Sequence, residues 1–247
     1  MKILSQNVNG IRARITQGFG KAIEEMNPDI ICIQEVRANE KQLPKDFLSE
    51  YNHYHSIHQK AGYAGSSIFV KKELPAPISV KTDYDNGSEV GRVCILEFEN
   101  FILIGSYSPN SGQNLEKLPR RVEWETGLIK YMKSQIKPII LCGDLNVAPE
   151  KKDAGVWCLA GCSPEERATF REKLDLGMID VFRHFNPTKT DYTWFSNRCK
   201  VKVKGLRLDE FVVSKTLTPM IKNIEHIHET NLVCGSDHIP ISIEIDI

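Results

Sequence analysis

The sequence predicts an α/β protein, and three observations carry that reading. Short apolar runs recur along the chain, helix-length segments fall between them, and several of the runs end in Asn, Asp or Glu. Residues 3–8 are the first strand candidate. Residues 19–26 follow as a helix stopped by Asn27-Pro28, since the residue before proline is pushed out of the helical region. Residues 30–33 form a short apolar run that reads as the next strand. Residues 40–51 read as a second helix, and 67–70, 93–98 and 101–106 as further strands. A third helix spans 116–135, a strand 139–142, and a fourth helix 165–176 after the Ser163-Pro164 start signal. Strands at 208–213 and 239–245 complete the series.

The chain has 247 residues, of which 41% are hydrophobic and 26% charged, so it is neither disordered nor fibrous. The connections at 150–161 and 186–205 carry charge, Gly and Asn rather than a Gly/Ser or Pro linker, which predicts a single domain over 1–247. It starts almost at its first strand and reads as a core-only unit. No apolar run approaches the roughly 18 residues of a membrane span, and no secretory h-region is present. The expectation is a cytoplasmic protein, nuclear in a eukaryote, not secreted and without a membrane partner. The seven cysteines read as reduced thiols. Cys158 and Cys162, beside Trp157, have no second Cys/His pair at zinc-like spacing. Lys+Arg 32 against Asp+Glu 32 excludes a bulk basic surplus, so any nucleic-acid face must be local. The charges are segregated. Arg198, Lys200, Lys202, Lys204 and Arg207 fall within 195–208 with no acid, whereas Glu225, Glu229, Asp237, Glu244 and Asp246 fall within 225–247 with no Lys or Arg. A basic loop of that kind would hold phosphates in a salt-sensitive way.

Polar residues at strand ends are carried to the rim of a sheet, where α/β folds place ligands. Asn7 and Asn9 follow ILSQ, Glu35 follows IICIQ, and Asp144 and Asn146 follow IILCG. Turn chemistry alone also favours Asn and Asp there, but three strands ending alike, two of them with carboxylates, favour a site. Glu35, Asp237 and the amide oxygens of Asn7 or Asn9 are hard ligands suited to Mg²⁺. Asp144 beside Asn146 offers a base and a positioning amide. His238, next to Asp237, is a phosphate partner whose protonation a second carboxylate such as Asp209 would favour. Together these describe metal-assisted phosphodiester cleavage. The other histidines, at 53, 55, 58, 184, 226 and 228, read as structural or surface residues.

The segments NVNGIRAR, CIQEVR, GYAGSSIF, GRVCILEF, SYSPNSG, GDLNVAPE, SPEER, RLDEFVVS and GSDHIPI occur in this order from Asn7 to Ile241. In that order they resemble the exonuclease III-type apurinic/apyrimidinic (AP) endonucleases of the endonuclease/exonuclease/phosphatase superfamily. The resemblance implies a four-layered α/β sandwich, two packed mixed β-sheets flanked by helices. It makes Glu35 the main Mg²⁺ ligand, with Mn²⁺ as a substitute, and places Asp237 and Asn9 in or near the metal site. Asn7 orients the phosphate and His238, Asp209 pairs with His238, Asp144 deprotonates the attacking water, Asn146 holds water or transition-state oxygens, and Tyr107 touches the scissile phosphate. Arg12, Arg37, Tyr63 and Arg92 fall where the family grips the DNA backbone.

The implied function is Mg-dependent hydrolysis 5′ to an abasic site, leaving a 3′-hydroxyl, together with 3′→5′ exonuclease and 3′-phosphatase activity. The implied partner is double-stranded DNA with abasic or 3′-blocked sites, bound by a monomer. The competing readings are action on another phosphate ester and non-catalytic DNA binding. Three positions depart from the usual pattern: Leu206, Gln113 and Val90, which interrupts a common Glu-Gly-Arg triplet. Leu206 stands where the repair enzymes usually carry a Trp that walls the sugar pocket, so Trp194 is expected to supply another wall. Gln113 replaces an Arg that holds product in some members, and Arg198 takes a loop position that wedges into DNA. The 150–161 segment is also short.

Overall fold

Residues 30–33 are apolar throughout because they separate two cores. Ile30 and Cys32 face a layer shared with Ile68, Leu103, Ile140 and Phe211, while Ile31 and Ile33 face Phe19, Ile23 and Met26. A strand buried on both faces loses the alternation of a half-exposed one. In the computed structural model, which describes residues 1–60, 62–84, 89–156, 158–196 and 204–247, this pattern builds four layers. The chain runs β1 (Lys2–Asn7), α1 (Ile11–Thr16), α2 (Phe19–Met26), β2 (Ile30–Gln34), β3 (Tyr51–Ser56), β4 (Ser66–Lys71), β5 (Ser79–Lys81), β6 (Val93–Glu97) and β7 (Ile102–Tyr107). It continues through α3 (Leu118–Lys133), β8 (Ile139–Asp144), α4 (Pro164–Asp175), β9 (Met178–Asp180), α5 (Val181–Phe185), β10 (Asp209–Ser214), β11 (Ile221–His226), α6 (Thr230–Val233) and β12 (Ile241–Ile245).

One six-stranded sheet has the order β11-β12-β1-β2-β4-β3 and the other β5-β6-β7-β8-β10-β9. Both are mixed, since β1–β2 and β7–β8 are parallel and the other pairs antiparallel. The outer face of the second sheet, with Ile95, Ile104, Leu141 and Val212, packs on Trp124, Leu128 and Phe170 of α3 and α4. Helix α4 starts as the sequence signals. The Ser163 hydroxyl accepts from Glu166 N at 3.2 Å and the Glu166 carboxylate accepts from Ser163 N at 3.0 Å, a reciprocal capping box with Pro164 in the first turn.

Two expectations are corrected. Residues 40–51 are not a helix. They contain one 3-10 turn, Glu40–Gln42, and Leu48 adopts φ 50° before β3 begins at Tyr51. Pro44 has no N–H to donate and disfavours helix at the residue before it, and the segment packs only scattered apolar side chains, Phe47 and Leu43 among them. The cysteines are not all free thiols either: Cys158 and Cys162 form a disulfide. A turn in which Cys162 N donates to Leu159 O brings their Cα atoms to 6.1 Å, within bridging range.

The registers decide where the polar ends lie. Asn7 pairs with Gln34 across the parallel β1–β2 ladder, and Tyr107 pairs with Asp144 across β7–β8. Asp209 starts β10 opposite Asp144. Strand ends of both sheets therefore meet at one rim. Gly143 permits the close approach of β7 and β8 there: its φ is 137°, and a Cβ would lie 1.9 Å from Ser106 O.

Behind β10, a buried charge group ties the 150–161 segment to the second sheet. The Arg207 guanidinium donates to Asp153 at 2.8 and 3.1 Å and to Asp180 at 2.7 and 3.2 Å, and Arg183 donates to Asp153 at 2.5 Å. Glu210 is 1% exposed, and neither of its carboxyl oxygens has a hydrogen-bond partner. Two cations thus face three acids. Burial first, then Asp180, Asp209 and Asp153, push the Glu210 carboxyl well above its ordinary range, against the pull of Arg207. The folded state holds that proton more tightly than the unfolded chain, so stability falls as pH rises from about 4.3 through the raised folded value. Glu210→Gln should raise Tm at pH 8 by about 2–4 °C, equivalent to about 1 kcal/mol in a chain of this size, with the gain shrinking toward pH 4. Equal thermal midpoints for the two proteins at pH 8 would remove the argument.

Candidate active site

The site is built on strand ends, where backbone geometry is fixed before any side chain is placed. Asn7, fully buried at the end of β1, donates through Nδ2 to Glu35 Oε1 at 3.0 Å and to Asp144 Oδ2 at 2.8 Å. Its Oδ1 accepts from Asn9 N at 2.9 Å, and Asn9 Nδ2 donates to Asp237 Oδ1 at 2.8 Å. Glu35, Asn7, Asn9 and Asp237 thus form a continuous line of oxygen-bearing groups. Glu35 and Asn9 both have positive φ, 54° and 44°, which turns the chain sharply out of each strand.

A second line runs through the imidazole. His238 Nδ1 lies 2.8 Å from Asp209 Oδ2, and His238 Nε2 lies 3.9 Å from Asp144 Oδ2. Asp209 Oδ2 also accepts from the Thr193 hydroxyl at 2.6 Å, while that hydroxyl accepts from the backbone N–H groups of Leu208 and Asp209, both at 3.0 Å. Asp144 Oδ1 accepts from Asn146 N at 2.9 Å, and Asn110 Nδ2 donates to Asn146 Oδ1 at 3.0 Å. Burial lowers the affinity of His238 for a proton, but Asp209, Asp144 and Asp237 outweigh it and raise the imidazole to about 10. Burial, with Asp209 and Glu35, pushes Asp144 up to about 7 against His238 and Asn7. Burial, then Glu35 and Asp144, raises the Tyr107 phenol well above its usual range, so it stays a donor.

Glu35, Tyr107, Gln113, Asp144, Asn146, Trp194, Leu206, Asp237 and His238 line one cavity of about 680 Å³. Asn7 and Asp209 lie buried just behind it. Trp194 pairs with Leu206 through backbone bonds of 2.8 and 3.0 Å, and its indole Nε1 donates to Asp237 Oδ2 at 3.2 Å. Leu206, Leu208, Val156 and the Cys158–Cys162 bridge pack with it as an apolar wall.

The basic residues are distributed differently. Arg12 is exposed on α1. Arg37 pairs with Glu35. Arg92 is only 4% exposed, stacked between the rings of Tyr63 and Tyr107 at 5.2 and 4.6 Å, and it donates to the Tyr63 hydroxyl at 2.6 Å and to Glu89 at 3.3 Å. That arrangement makes it a support for two aromatic rings. Arg198 lies outside the described residues, as do Lys200 and Lys202. Thr193 and Asn110 were not singled out by the sequence. Their only signal was proximity, to Trp194 and to the SYSPNSG segment. Arg121 gave none. Fully buried in α3, its guanidinium donates to Pro109 O at 2.5 Å and Leu145 O at 2.6 Å, holding the loops that carry Asn110 and Asn146.

Among the described residues, Asp144, Asp209 and His238 place ligand-type atoms within 4.8 Å of one another. An imidazole that keeps its proton to about pH 10 is a poor metal ligand, so this trio reads better as a charge-paired group, with His238 hydrogen-bonded to Asp209 and 3.9 Å from Asp144. The Glu35 and Asp237 oxygens, with the amides of Asn7 and Asn9, suit a hard divalent cation. Among the described residues no helix is long and apolar enough to cross a membrane.

Comparison with known proteins agrees with this geometry. Residues 4–238 match the family model described as Endonuclease/Exonuclease/phosphatase family. The whole chain is 38% identical to a DNA-(apurinic or apyrimidinic site) endonuclease of Dictyostelium discoideum, covering 71% of that protein, and 37% identical to an exodeoxyribonuclease of Bacillus subtilis, covering all of it. Among solved structures, an AP endonuclease from Archaeoglobus fulgidus superposes with a TM-score of 0.89, and a 3′ phosphatase from Neisseria bound to product DNA hairpin with 0.87. Each is 25% identical, with full coverage of both chains.

The hydrogen-bonded imidazole supplies a direct check. In the metal-free protein, His238 should titrate near pH 10 by NMR, and Asp209→Asn should bring the midpoint down by about one to three pH units. A midpoint near 6.5 in the unsubstituted protein would contradict the arrangement.

Proposed function

That the chain belongs to the endonuclease/exonuclease/phosphatase family is the premise from which we propose its reaction: hydrolysis of the DNA phosphodiester 5′ to an abasic site, leaving a 3′-hydroxyl. It is a DNA repair nuclease, and its cleavage is hydrolytic. The observation that carries the reading is Asn7, which joins Glu35 to Asp144 beside the Asp209–His238 pair at the floor of the cavity.

Each role follows from its surroundings. Asp144, with a proton affinity near neutrality, takes the proton of the attacking water, the condition in which a general base works best. His238, held protonated by Asp209, turns its Nε2, 3.9 Å from Asp144, to the phosphate and stabilises charge on the phosphoryl oxygens. Asn146 holds the water and Tyr107 donates to the phosphate, while Asn7, bonded to Glu35 and Asp144 from behind the cavity, fixes the groups that orient it. Glu35, Asp237 and Asn9 would hold Mg²⁺, with Mn²⁺ as a substitute. When bound, that cation polarises the phosphoryl oxygens as a Lewis acid. Arg12, Arg37 and Gln113 contact the duplex backbone, and Tyr63 does so with Arg92 behind it.

A second activity, removal of 3′-terminal nucleotides or 3′-phosphates, is favoured by Leu206. Leu gives the wall a smaller surface than an indole at that position and leaves room beside Trp194. The partner is therefore duplex DNA with abasic or 3′-blocked sites, acted on by a monomeric single domain in the cytoplasm, or in the nucleus of a eukaryote.

The assay is a duplex bearing one abasic site, incubated with Mg²⁺ or with EDTA. Incision 5′ to the lesion only with the metal is expected, and Asp144→Asn and His238→Asn should each lose at least about 10²-fold in turnover with an unchanged circular dichroism spectrum. Binding without cleavage, hydrolysis of other phosphate esters only, or near-normal turnover in both variants would defeat the reading. Leu206→Trp should raise the ratio of abasic-site incision to 3′-end processing, since an aromatic face contributes about 1–3 kcal/mol where it stacks. An unmoved ratio would dispose of the role given to Leu206.

A further inference from the structure

Arg37 lies two residues beyond Glu35, and its Nη2 contacts the Glu35 Oε2 directly. The backbone enforces this pairing. Glu35 and Arg37 both adopt positive φ, 54° and 51°, while Val36 N and Arg37 N donate to Gly65 O and Ala64 O at 3.1 and 2.8 Å. The Glu35 carbonyl in turn accepts from Gly10 N at 2.8 Å. The segment cannot swing away, and the aliphatic stem of Arg37 passes close to Gly10, where a Cβ would meet Arg37 Cδ at 4.0 Å. The two ends of the ion pair differ in exposure. The Arg37 side chain is 43% exposed and the Glu35 side chain 13%.

Glu35 therefore has one oxygen held by the Asn7 amide and the other by a guanidinium that reaches out to solvent. A divalent cation taking Glu35 must compete with that guanidinium for the same lone pairs and repels it. Once displaced, Arg37 presents at the rim a planar cationic fork that matches a phosphate in geometry. We propose that Arg37 is a transferable counter-ion, neutralising Glu35 in the metal-free protein and passing to a DNA phosphate when the metal binds, so that metal and DNA bind cooperatively. This rests on the assignment of Glu35 as a metal ligand.

Cooperativity of this kind is reciprocal: DNA that draws Arg37 away must raise the affinity for metal by the same factor by which metal raises the affinity for DNA. The experiment is calorimetric titration of Mn²⁺ into the free protein and into its complex with a duplex whose abasic unit is tetrahydrofuran and whose scissile linkage is a phosphorothioate. In the unsubstituted protein the duplex should tighten Mn²⁺ binding by about 5- to 20-fold. Arg37→Gln should bind Mn²⁺ about 3- to 10-fold more tightly than the unsubstituted protein when free, and should gain less than about 2-fold from the duplex. Arg37→Lys, which keeps the charge, should keep the coupling. Mn²⁺ affinity unchanged or weakened in free Arg37→Gln, or a Lys variant that behaves like the Gln variant, overturns the proposal. Glu35→Gln separates the two levels. If it loses Mn²⁺ while Arg37→Gln is unchanged, the transfer alone fails; if it still binds Mn²⁺ at full affinity, the metal assignment falls and the transfer falls with it.

Discussion

One amide holds the site together. Asn7 spends both hydrogens of its Nδ2 on carboxylates from different sheets, Glu35 beyond β2 and Asp144 at the end of β8. That geometry exists only because the two parallel ladders place their carboxyl ends at the same rim and because the sheets pack face to face without slipping. Around this amide, three acids share one imidazolium in a region largely closed to water. Carboxylates so close cannot all be ionised without positive charge nearby. The raised affinity of Asp144 and His238 for protons and the grip of Arg37 on Glu35 are three responses to that same imbalance.

The eight strands in the middle of the sheets were legible from the sequence, and the four at the edges were not. β12, β1, β2, β4, β6, β7, β8 and β10 are apolar because each has neighbours on both sides and, except for β12 with its exposed Glu244, cores above and below. β3, β5, β9 and β11 border the sheets. β3 reads YNHYHS and β11 IKNIEH, compositions that keep an unpaired edge soluble and that hide it from any search for apolar runs. The misplaced helix at 40–51 belongs to the same difficulty, since its end is where an edge strand starts.

At the site, residues that terminate central strands could be read, because a carboxylate after an apolar run stands out. Their supports could not. Thr193, Asn110 and Arg121 act through contacts with residues distant in sequence, such as Thr193 with Asp209 and Arg121 with Pro109 and Leu145. Burial of a whole guanidinium in α3 is a property of the packed molecule. Helical spacing sets Arg121 on the face of Trp124, Leu128 and Met132, but a guanidinium is ordinarily read as solvated. Arg92 shows the converse: its position suggested a surface contact, and packing turned it into the spacer between two tyrosines.

The cavity wall has a different construction from its floor. The floor is strand ends, fixed by ladders. The wall is two loops clipped to each other, Gly155 N to Gly205 O at 2.8 Å and Trp194 to Leu206, anchored from behind by the Arg207, Asp153 and Asp180 group and tied to the floor through Thr193 and Trp194, which bond Asp209 and Asp237. Substitutions among its apolar members, Leu206, Leu208 and Val156, whose side chains carry no polar atom, can therefore accumulate while the hydrogen bonds to the groups below stay in place. Such a fold can drift in what it accepts while the bond-breaking apparatus stays fixed, so new specificities are reachable through single steps that each leave a working hydrolase.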